Sequence, residues 1–453
     1  MEKIKIKVAI SVVLVVLGAL LAFAMVPSTA SASTDGIIID FGDRDITYVS
    51  VNVNSYSDAM SALEYACSYS GFELVVEGSS VISINSFPSS GSVATWALYV
   101  TTIGSTEWTK ITGDPADIQI DGYSAVAWGL CIDGELPTTA VDATGYCYYS
   151  YGPVTRVVSL APSCTETICA DGGLNLIVGT DQYSNYPSAV VEGQKNGTIS
   201  IIGGYTNPSY ELIVKANPDL VVCIATQTGH LTTADKLRAV GINVVVIYGG
   251  ENIDTILDNT YIIGTSMGYD MKTHATLNEL EGGLQDINDV LSSYFQIEYP
   301  SVMVSLSASK SPWVAGSDTY ISDILSYVYC INSYSGESGW AMVNSETVVQ
   351  YNPEYIVIVS SDYSDTEESY QAMLDSLSAE WKSTDAYKNG NIYLFTESST
   401  DLASRPSVRV AQLTELLARI MHPDAFDDEI IVPHYIGDDY VDYLTYTKDL
   451  GFN

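Results

Sequence analysis

The chain has 453 residues, with 18 Lys and Arg against 55 Asp and Glu, and a formal net charge of −37. That length allows two or three domains, and that charge repels nucleic acid and anionic lipid, so neither is expected as a partner. The charged fraction is only 16%; Ser, Thr, Tyr and Asn fill much of the surface, as suits an exported envelope protein.

Lys3, Lys5 and Lys7 precede an uncharged apolar run from Val8 to Val26, and Ala30-Ser-Ala32 follows. Residues 1–33 read as an export signal with an A-x-A-like cleavage site, or, at the length of a bilayer core, as an uncleaved N-terminal anchor. The absence of a Cys after the run argues against a diacylglycerol anchor there.

Residues 34–148 read as a small α+β module. Its strands are Gly36-Ile-Ile-Ile-Asp40, Tyr48-Val-Ser-Val-Asn-Val53, Val81-Ile-Ser-Ile84, Ala94-Thr-Trp-Ala-Leu-Tyr-Val100 and Ala125-Val-Ala-Trp-Gly-Leu-Cys131. One amphipathic helix spans Ser57 to Tyr69. A Gly/Tyr-rich stretch from Gly145 to Pro153 follows, with the linker placed at 149–154.

A first lobe is expected over 155–258. Arg156-Val-Val-Ser-Leu-Ala-Pro-Ser-Cys-Thr-Glu166 gives a β-branched strand, a Pro-Ser turn and an apolar helix with Glu166 in its first turn. Gly203-Gly-Tyr-Thr-Asn-Pro-Ser209 is a loop. It leads to a helix beginning near Ser209, with Glu211 in its first turn, then an Asn-Pro break and a buried strand, Leu220-Val-Val-Cys-Ile224. Thr233 to Val240 is a helix stopped by Gly241, before a strand from Val244 to Tyr248.

Residues 259–298 lack Pro and carry apolar positions at helical spacing, so they predict a connecting helix, kinked or in two parts at its glycines. A second lobe, 299–421, repeats the logic of the first. Val343-Asn-Ser-Glu-Thr-Val-Val-Gln-Tyr-Asn-Pro-Glu354 echoes the helix-Asn-Pro-strand unit around Glu211 and places Glu346 at the equivalent position. Residues 422–453 are set apart as an acidic tail.

Three groups of residues suggest a ligand cleft. Tyr183, Tyr186, Tyr205, Trp313 and Trp340 sit in segments read as loops, where flat rings suit a large planar ligand; each ring alone is better explained by packing, and the five together point to a ligand. Glu211 and Glu346 form a matched pair, which capping and the helix dipole would also favour. Arg405 and Arg409, in Ser404-Arg-Pro-Ser-Val-Arg409, stand out in a chain poor in cations, either as anion contacts or as a surface salt pair. The four His (230, 274, 422, 434) and seven Cys show no metal-ligand spacing. No catalytic constellation stands out, so no enzyme activity is expected.

The order and wording of Arg156–Gly179 and Gly203–Val222 resemble the substrate-binding proteins of ABC importers for vitamin B12 and iron-siderophores. The resemblance covers residues 155 to about 421 and implies an α/β fold of two Rossmann-like lobes joined by a long helix, here preceded by the small α+β domain. It implies a ligand held between the lobes, with Tyr183, Tyr186, Tyr205, Trp313 and Trp340 as corrin contacts. It also implies Glu211 and Glu346 as docking carboxylates for an ABC permease with its ATPase, and Arg405 as a holder of anionic chelates. Cys164 and Cys169 depart from the family's small or apolar residues there. The N-terminal module resembles, at Trp96, Tyr99, Gly122 and Trp128, the small β-rich domain that covers cobalamin in transcobalamin and intrinsic factor. A corrinoid is therefore the expected ligand, with a ferric siderophore or haem as the alternative and a non-transport surface adhesion or scaffold protein as a further one. No cofactor is expected beyond the ligand's own metal, and the site of action is extracytoplasmic.

Overall fold

A computed structural model describes residues 36–41, 46–88, 94–102, 109–131, 140–144, 147–148, 154–268, 270–294, 298–428, 430–448 and 450. The signal or anchor at 1–33 and most of the linker at 149–154 lie outside the described residues. The described residues divide into two compact units, the first mostly those between 36 and 140, with 270–275, and the second mostly those of 154–268 and from 276 onward.

In the first unit, β1 (Gly36–Asp40), β2 (Ile46–Ser50), β5 (Thr95–Thr101), β6 (Thr109–Ile111) and β7 (Ala125–Cys131) form one sheet in the order β2-β1-β7-β5-β6. The helix α1 (Ala59–Ser70) begins at a capping box between Asp58 and Ser61 and ends at Gly71 in the left-handed region. Its buried face, with Ala62, Leu63 and Ala66, closes the core. A hairpin of β3 (Leu74–Glu77) and β4 (Ser80–Ile84) completes the unit. Trp96 and Trp128 are only 9% and 2% exposed and belong to this core. They are packing residues of the module, not rings offered to a ligand, because alternation turns both toward the helix.

The first lobe of the second unit is a parallel sheet ordered β10-β9-β8-β11-β12. Its strands are β8 (Val157–Ser159), β9 (Ile177–Thr180), β10 (Ser200–Ile201), β11 (Leu220–Ile224) and β12 (Asn243–Ile247). The helices α2 (Pro162–Ala170), α3 (Ser188–Asn196), α4 (Tyr210–Ala216) and α5 (Thr228–Arg238) connect them. Strands β8 and β11 are buried throughout, as both-face coverage by helices requires. Asp142, 2% exposed, accepts Arg238 Nη2 at 2.8 Å and the Val246 N–H at 3.0 Å, which fastens the preceding segment to the edge at β12.

Two helices follow, α6 (Ile253–Met267) and α7 (Asp270–Ser293). Gly268, at φ 76°, caps α6 in the left-handed region, and this is where the helical pattern breaks in two. The pair Gly282-Gly283 does not break α7. A Cβ on Gly283 would stand 3.1 Å from Thr447 Cγ2 and 3.2 Å from Leu450 Cδ1, so the missing side chain admits the C-terminal segment against the helix.

Among the described residues the second lobe is a mixed sheet ordered β16-β14-β13-β17-β18-β19, with β15 (Ile331–Asn332) beside β13. Its other strands are β13 (Ser301–Ser305), β14 (Trp313–Ala315), β16 (Trp340–Met342), β17 (Tyr355–Val359), β18 (Ile392–Phe395) and β19 (Tyr435–Ile436). The helices are α8 (Tyr320–Tyr327), α9 (Ser345–Tyr351), α10 (Glu367–Ser376), α11 (Asp385–Asn389), α12 (Glu397–Ser404) and α13 (Val410–Met421). The described part of 422–453, set apart in the sequence as an acidic tail, is built into this lobe. Strand β19 pairs with β18, and fully buried Glu415 on α13 accepts the N–H groups of Thr445, Tyr446 and Thr447 at 2.6, 3.1 and 2.9 Å.

The sequence echo between the lobes is structural. Helices α4 and α9 both end at an Asn in the left-handed region, Asn217 (φ 49°) and Asn352 (φ 43°). The acid two residues beyond each, Asp219 or Glu354, accepts the N–H and hydroxyl of the residue opening its lobe, Thr155 or Ser301.

Candidate functional site

Open parallel sheets present their loops at the carboxyl ends of the strands, and the cleft lies there. Ser163 stands at the start of α2 after β8, Tyr183 in the loop after β9, and Gly204 to Asn207 in the loop after β10. From the other lobe come Asp401 and Ser404 of α12 and the following Arg405 and Pro406. Together they enclose a cleft of about 490 Å³. Tyr183 is 55% exposed at its rim.

Behind the cleft the lobes are joined through a buried carboxylate. Glu166 is fully buried on α2 and accepts Arg409 Nη2 at 2.6 Å, Arg409 Nε at 3.0 Å, Arg405 Nη1 at 2.9 Å and the Ser407 hydroxyl at 2.5 Å. Burial alone would raise this carboxyl's pKa. The charge and hydrogen bonds of Arg409, with those of Arg405 and Ser407, outweigh burial and hold it below the usual value. Arg405 also meets Asp401 Oδ1 at 2.7 Å, Asn185 Oδ1 at 2.7 Å and the Tyr183 carbonyl at 3.2 Å. Two guanidinium groups thus face two carboxylates, and this network carries no net charge.

The sequence expectation for these residues changes accordingly. Glu166 is not in the first turn of its helix. Pro162 begins α2 a turn earlier, which Pro at a first helical position favours, and Glu166 then faces inward. Arg405 and Arg409 are neither free anion contacts nor a surface pair, since their side chains are 11% and 1% exposed and bridge the lobes.

The rim loops of the first lobe are held from below. Asp181, fully buried, accepts the Ser184 hydroxyl at 2.5 Å and the Tyr183 N–H at 2.7 Å, and Ser184 meets Thr165, which donates to Ser159 at 2.8 Å. Burial raises the Asp181 pKa despite these bonds. His230 fixes Tyr205: its Nε2 donates to the Tyr205 carbonyl at 2.6 Å, and its Nδ1 accepts the Ile224 N–H at 3.3 Å. The rings meet edge to face at 5.6 Å. Both nitrogens are committed, so His230 is a support of the loop and not a ligand for cobalt.

This arrangement has a pH signature. Burial lowers the His230 pKa, more than the Tyr205 carbonyl raises it. A depressed folded value gives stability that is present above the unfolded value of about 6.5 and drains away as pH falls through the folded one. Glu166 acts in the same direction at lower pH. The melting temperature is expected to fall as pH drops below about 7, and His230→Gln to lessen that slope without abolishing it, because His422 is likewise depressed by burial. Thermal melts across that range check it; an unchanged slope in the variant rejects the assignment.

Of the other rings, Tyr205 lines the cleft, whereas Tyr186, Trp313 and Trp340 are not among its lining residues. Tyr186 lies under the Arg409 guanidinium at 4.4 Å, and burial first of all pushes its phenol up to about 12. Trp313 and Trp340 stand not in loops, as the sequence suggests, but on the antiparallel strands β14 and β16, Trp313 opposite Met342 and 47% exposed. The pairing of Val314 with Ala341 makes a strand of what the Pro and Gly nearby suggest is loop. Cys164 and Cys169 are free thiols, Cys164 buried and pushed well above the usual value, Cys169 pushed to about 12, in both cases chiefly by burial.

Glu211 and Glu346 are both exposed. Capping is done by other residues: Ser209 accepts the Leu212 N–H, and Asn344 accepts those of Glu346 and Thr347. Both carboxylates remain exposed at matching places on the lobes, with Glu211 Oε2 also accepting the Ser209 hydroxyl at 3.3 Å. Sequence reasoning missed Asn185 and Asp401, and weighed His230 only as a metal ligand. Asp401 was within reach, lying four residues before Arg405 on a helical pattern; Asn185 is defined by partners more than two hundred residues away, and the role of His230 by the backbone groups of Ile224 and Tyr205, which no side-chain pattern marks. Among the described residues no group of His, Cys, Asp and Glu could hold a metal ion, and no helix is long and apolar enough to cross a membrane.

Residues 157–398 match the family described as periplasmic binding protein. The chain is 25% identical over 276 residues to an uncharacterized ABC transporter substrate-binding lipoprotein, YvrC, of Bacillus subtilis, covering 60% of this chain and 82% of that protein. It is 26% identical over 293 residues to a cobalamin-binding protein of Halobacterium salinarum, covering 64% of this chain and 75% of that one. A periplasmic heme binding protein from Pseudomonas aeruginosa shares the fold at a TM-score of 0.53 and 19% identity, over 60% of this chain and 94% of its own.

Proposed function

The chain belongs to the periplasmic binding protein family, and we propose that it is the extracytoplasmic solute-binding component of an ABC importer, capturing a corrinoid between its two lobes. The observation that carries the ligand class is the compensated charge at the cleft. Haem brings propionates and ferric siderophores commonly bring several negative charges, and each would call for an unspent cation. Arg405, the cleft-lining cation among the described residues, already faces Glu166 and Asp401. A neutral corrinoid needs no such cation; Tyr183 and Tyr205 offer ring surface, and the backbone of Gly204–Asn207 offers polar groups to its amides. The cobalamin-binding relative of Halobacterium salinarum supports the same class. Glu211 and Glu346 are the residues proposed to dock the lobes onto a permease, which works with its ATPase.

Calorimetry with cyanocobalamin and cobinamide is expected to give saturable one-to-one binding with Kd of about 1 μM or tighter, about −8 kcal/mol. Tyr205→Ala should raise Kd at least about tenfold, as loss of an aromatic anchor does, while Trp313→Ala should leave it within about twofold. Heat with haemin or a ferric catecholate, and none with either corrinoid, would replace the corrinoid reading with the iron-complex one.

A further inference from the structure

We infer that Asp401 selects the charge of the ligand by cancelling Arg405 at the cleft surface, an inference that rests on the cleft being the ligand site as proposed above. Glu166 alone cannot neutralise both arginines. It gives Arg409 two contacts, at 2.6 and 3.0 Å, and Arg405 one, at 2.9 Å. Arg409 is 1% exposed, so most of the Glu166 charge is committed behind the cleft. The shortest contact to Arg405 from a carboxylate is instead that of Asp401, at 2.7 Å.

Asp401 is placed to act on a ligand as well. It lines the cleft, its side chain is 20% exposed, and it sits one helical turn before Arg405, so the pair is set within α12 and its end. Its second oxygen accepts Asn185 Nδ2 at 2.8 Å from the opposite lobe. A carboxylate or catecholate approaching Arg405 therefore meets a fixed like charge beside it. An amide N–H meets an acceptor. Asp401 thus admits amide-bearing neutral ligands and turns away anions of the same shape.

The test compares cyanocobalamin with its monocarboxylate, in which one peripheral amide is hydrolysed, so that shape is kept and one negative charge is added. The full chain is expected to bind the neutral form at least about tenfold more tightly, and Asp401→Asn to reduce that ratio to about threefold or less, in keeping with unmasking one nearby cation. Adding Arg405→Gln to Asp401→Asn should abolish the gain in carboxylate affinity. Should Asp401→Asn not fold, as judged by its melting temperature, Asp401→Ser carries the same comparison. An unchanged ratio in a folded variant, or equal binding of both forms by the unaltered chain, overturns the inference. Haemin separates the two claims. If the unaltered chain binds no corrinoid but Asp401→Asn gains at least about tenfold for haemin, the selector stands and the corrinoid reading falls.

Discussion

Glu166→Ala is expected to cost about 3–5 kcal/mol of folding stability, the range for breaking a buried ion pair from one side. The variant would leave Arg409, 1% exposed, and Arg405, 11% exposed by side chain, without their shared carboxylate. It would also strand the Ser407 hydroxyl, which donates to Glu166 at 2.5 Å. Urea unfolding at neutral pH gives the number. Combining Glu166→Leu with Arg409→Met should recover most of the loss, since an apolar replacement of a buried pair is often neutral. Recovery would locate the cost in the stranded charge and not in lost packing. A single-variant loss below about 1 kcal/mol, the worth of an exposed pair, would mean that water reaches the network.

The second large effect is on transport. Glu211→Ala with Glu346→Ala should leave corrinoid Kd unchanged, because both carboxylates are exposed and neither lines the cleft. Uptake through the cognate permease should nevertheless lose most of its rate. Charge-assisted pairs contribute about 1.5–3 kcal/mol each, so losing two weakens docking by at least about a hundredfold. Each single variant should lose part of the rate, as matched positions on two lobes require. Normal uptake by the double variant would reduce these residues to surface charge.

What could be read in the sequence follows from how local each cause is. The strands of both lobes are short runs rich in β-branched residues, and Asn217-Pro and Asn352-Pro mark the same left-handed helix stop before a buried strand twice, so the two-lobed α/β fold was legible. The split between α6 and α7 was legible for the same reason, through Gly268. Loop rings were only half legible: Tyr183 and Tyr205 lie at the cleft, whereas Trp313 and Trp340 lie on strands too short to give clear alternation. The charge network could not be read. Glu166 and Arg409 are 243 residues apart, and nothing local distinguishes an inward Glu on an apolar helix from an outward one. The C-terminal segment was misjudged because a two-residue strand has no period, and its acidic composition described the exposed side chains, not the backbone that pairs.

That last element bears on the order in which the protein can be assembled. The first lobe draws all five strands from Val157 to Ile247, so its sheet can close long before the chain is finished. The second lobe cannot complete its sheet until Tyr435 and Ile436 are available to cover the edge of β18. Until then a strand of buried residues presents unpaired N–H and C=O groups, the kind of edge through which chains pair wrongly. The cross-lobe network waits as well, since Arg405, Ser407 and Arg409 arrive more than two hundred residues after Glu166. A half-made chain therefore holds a finished first lobe with Glu166 not yet paired at its interface, and the last few dozen residues both seal the second sheet and make the ligand cleft.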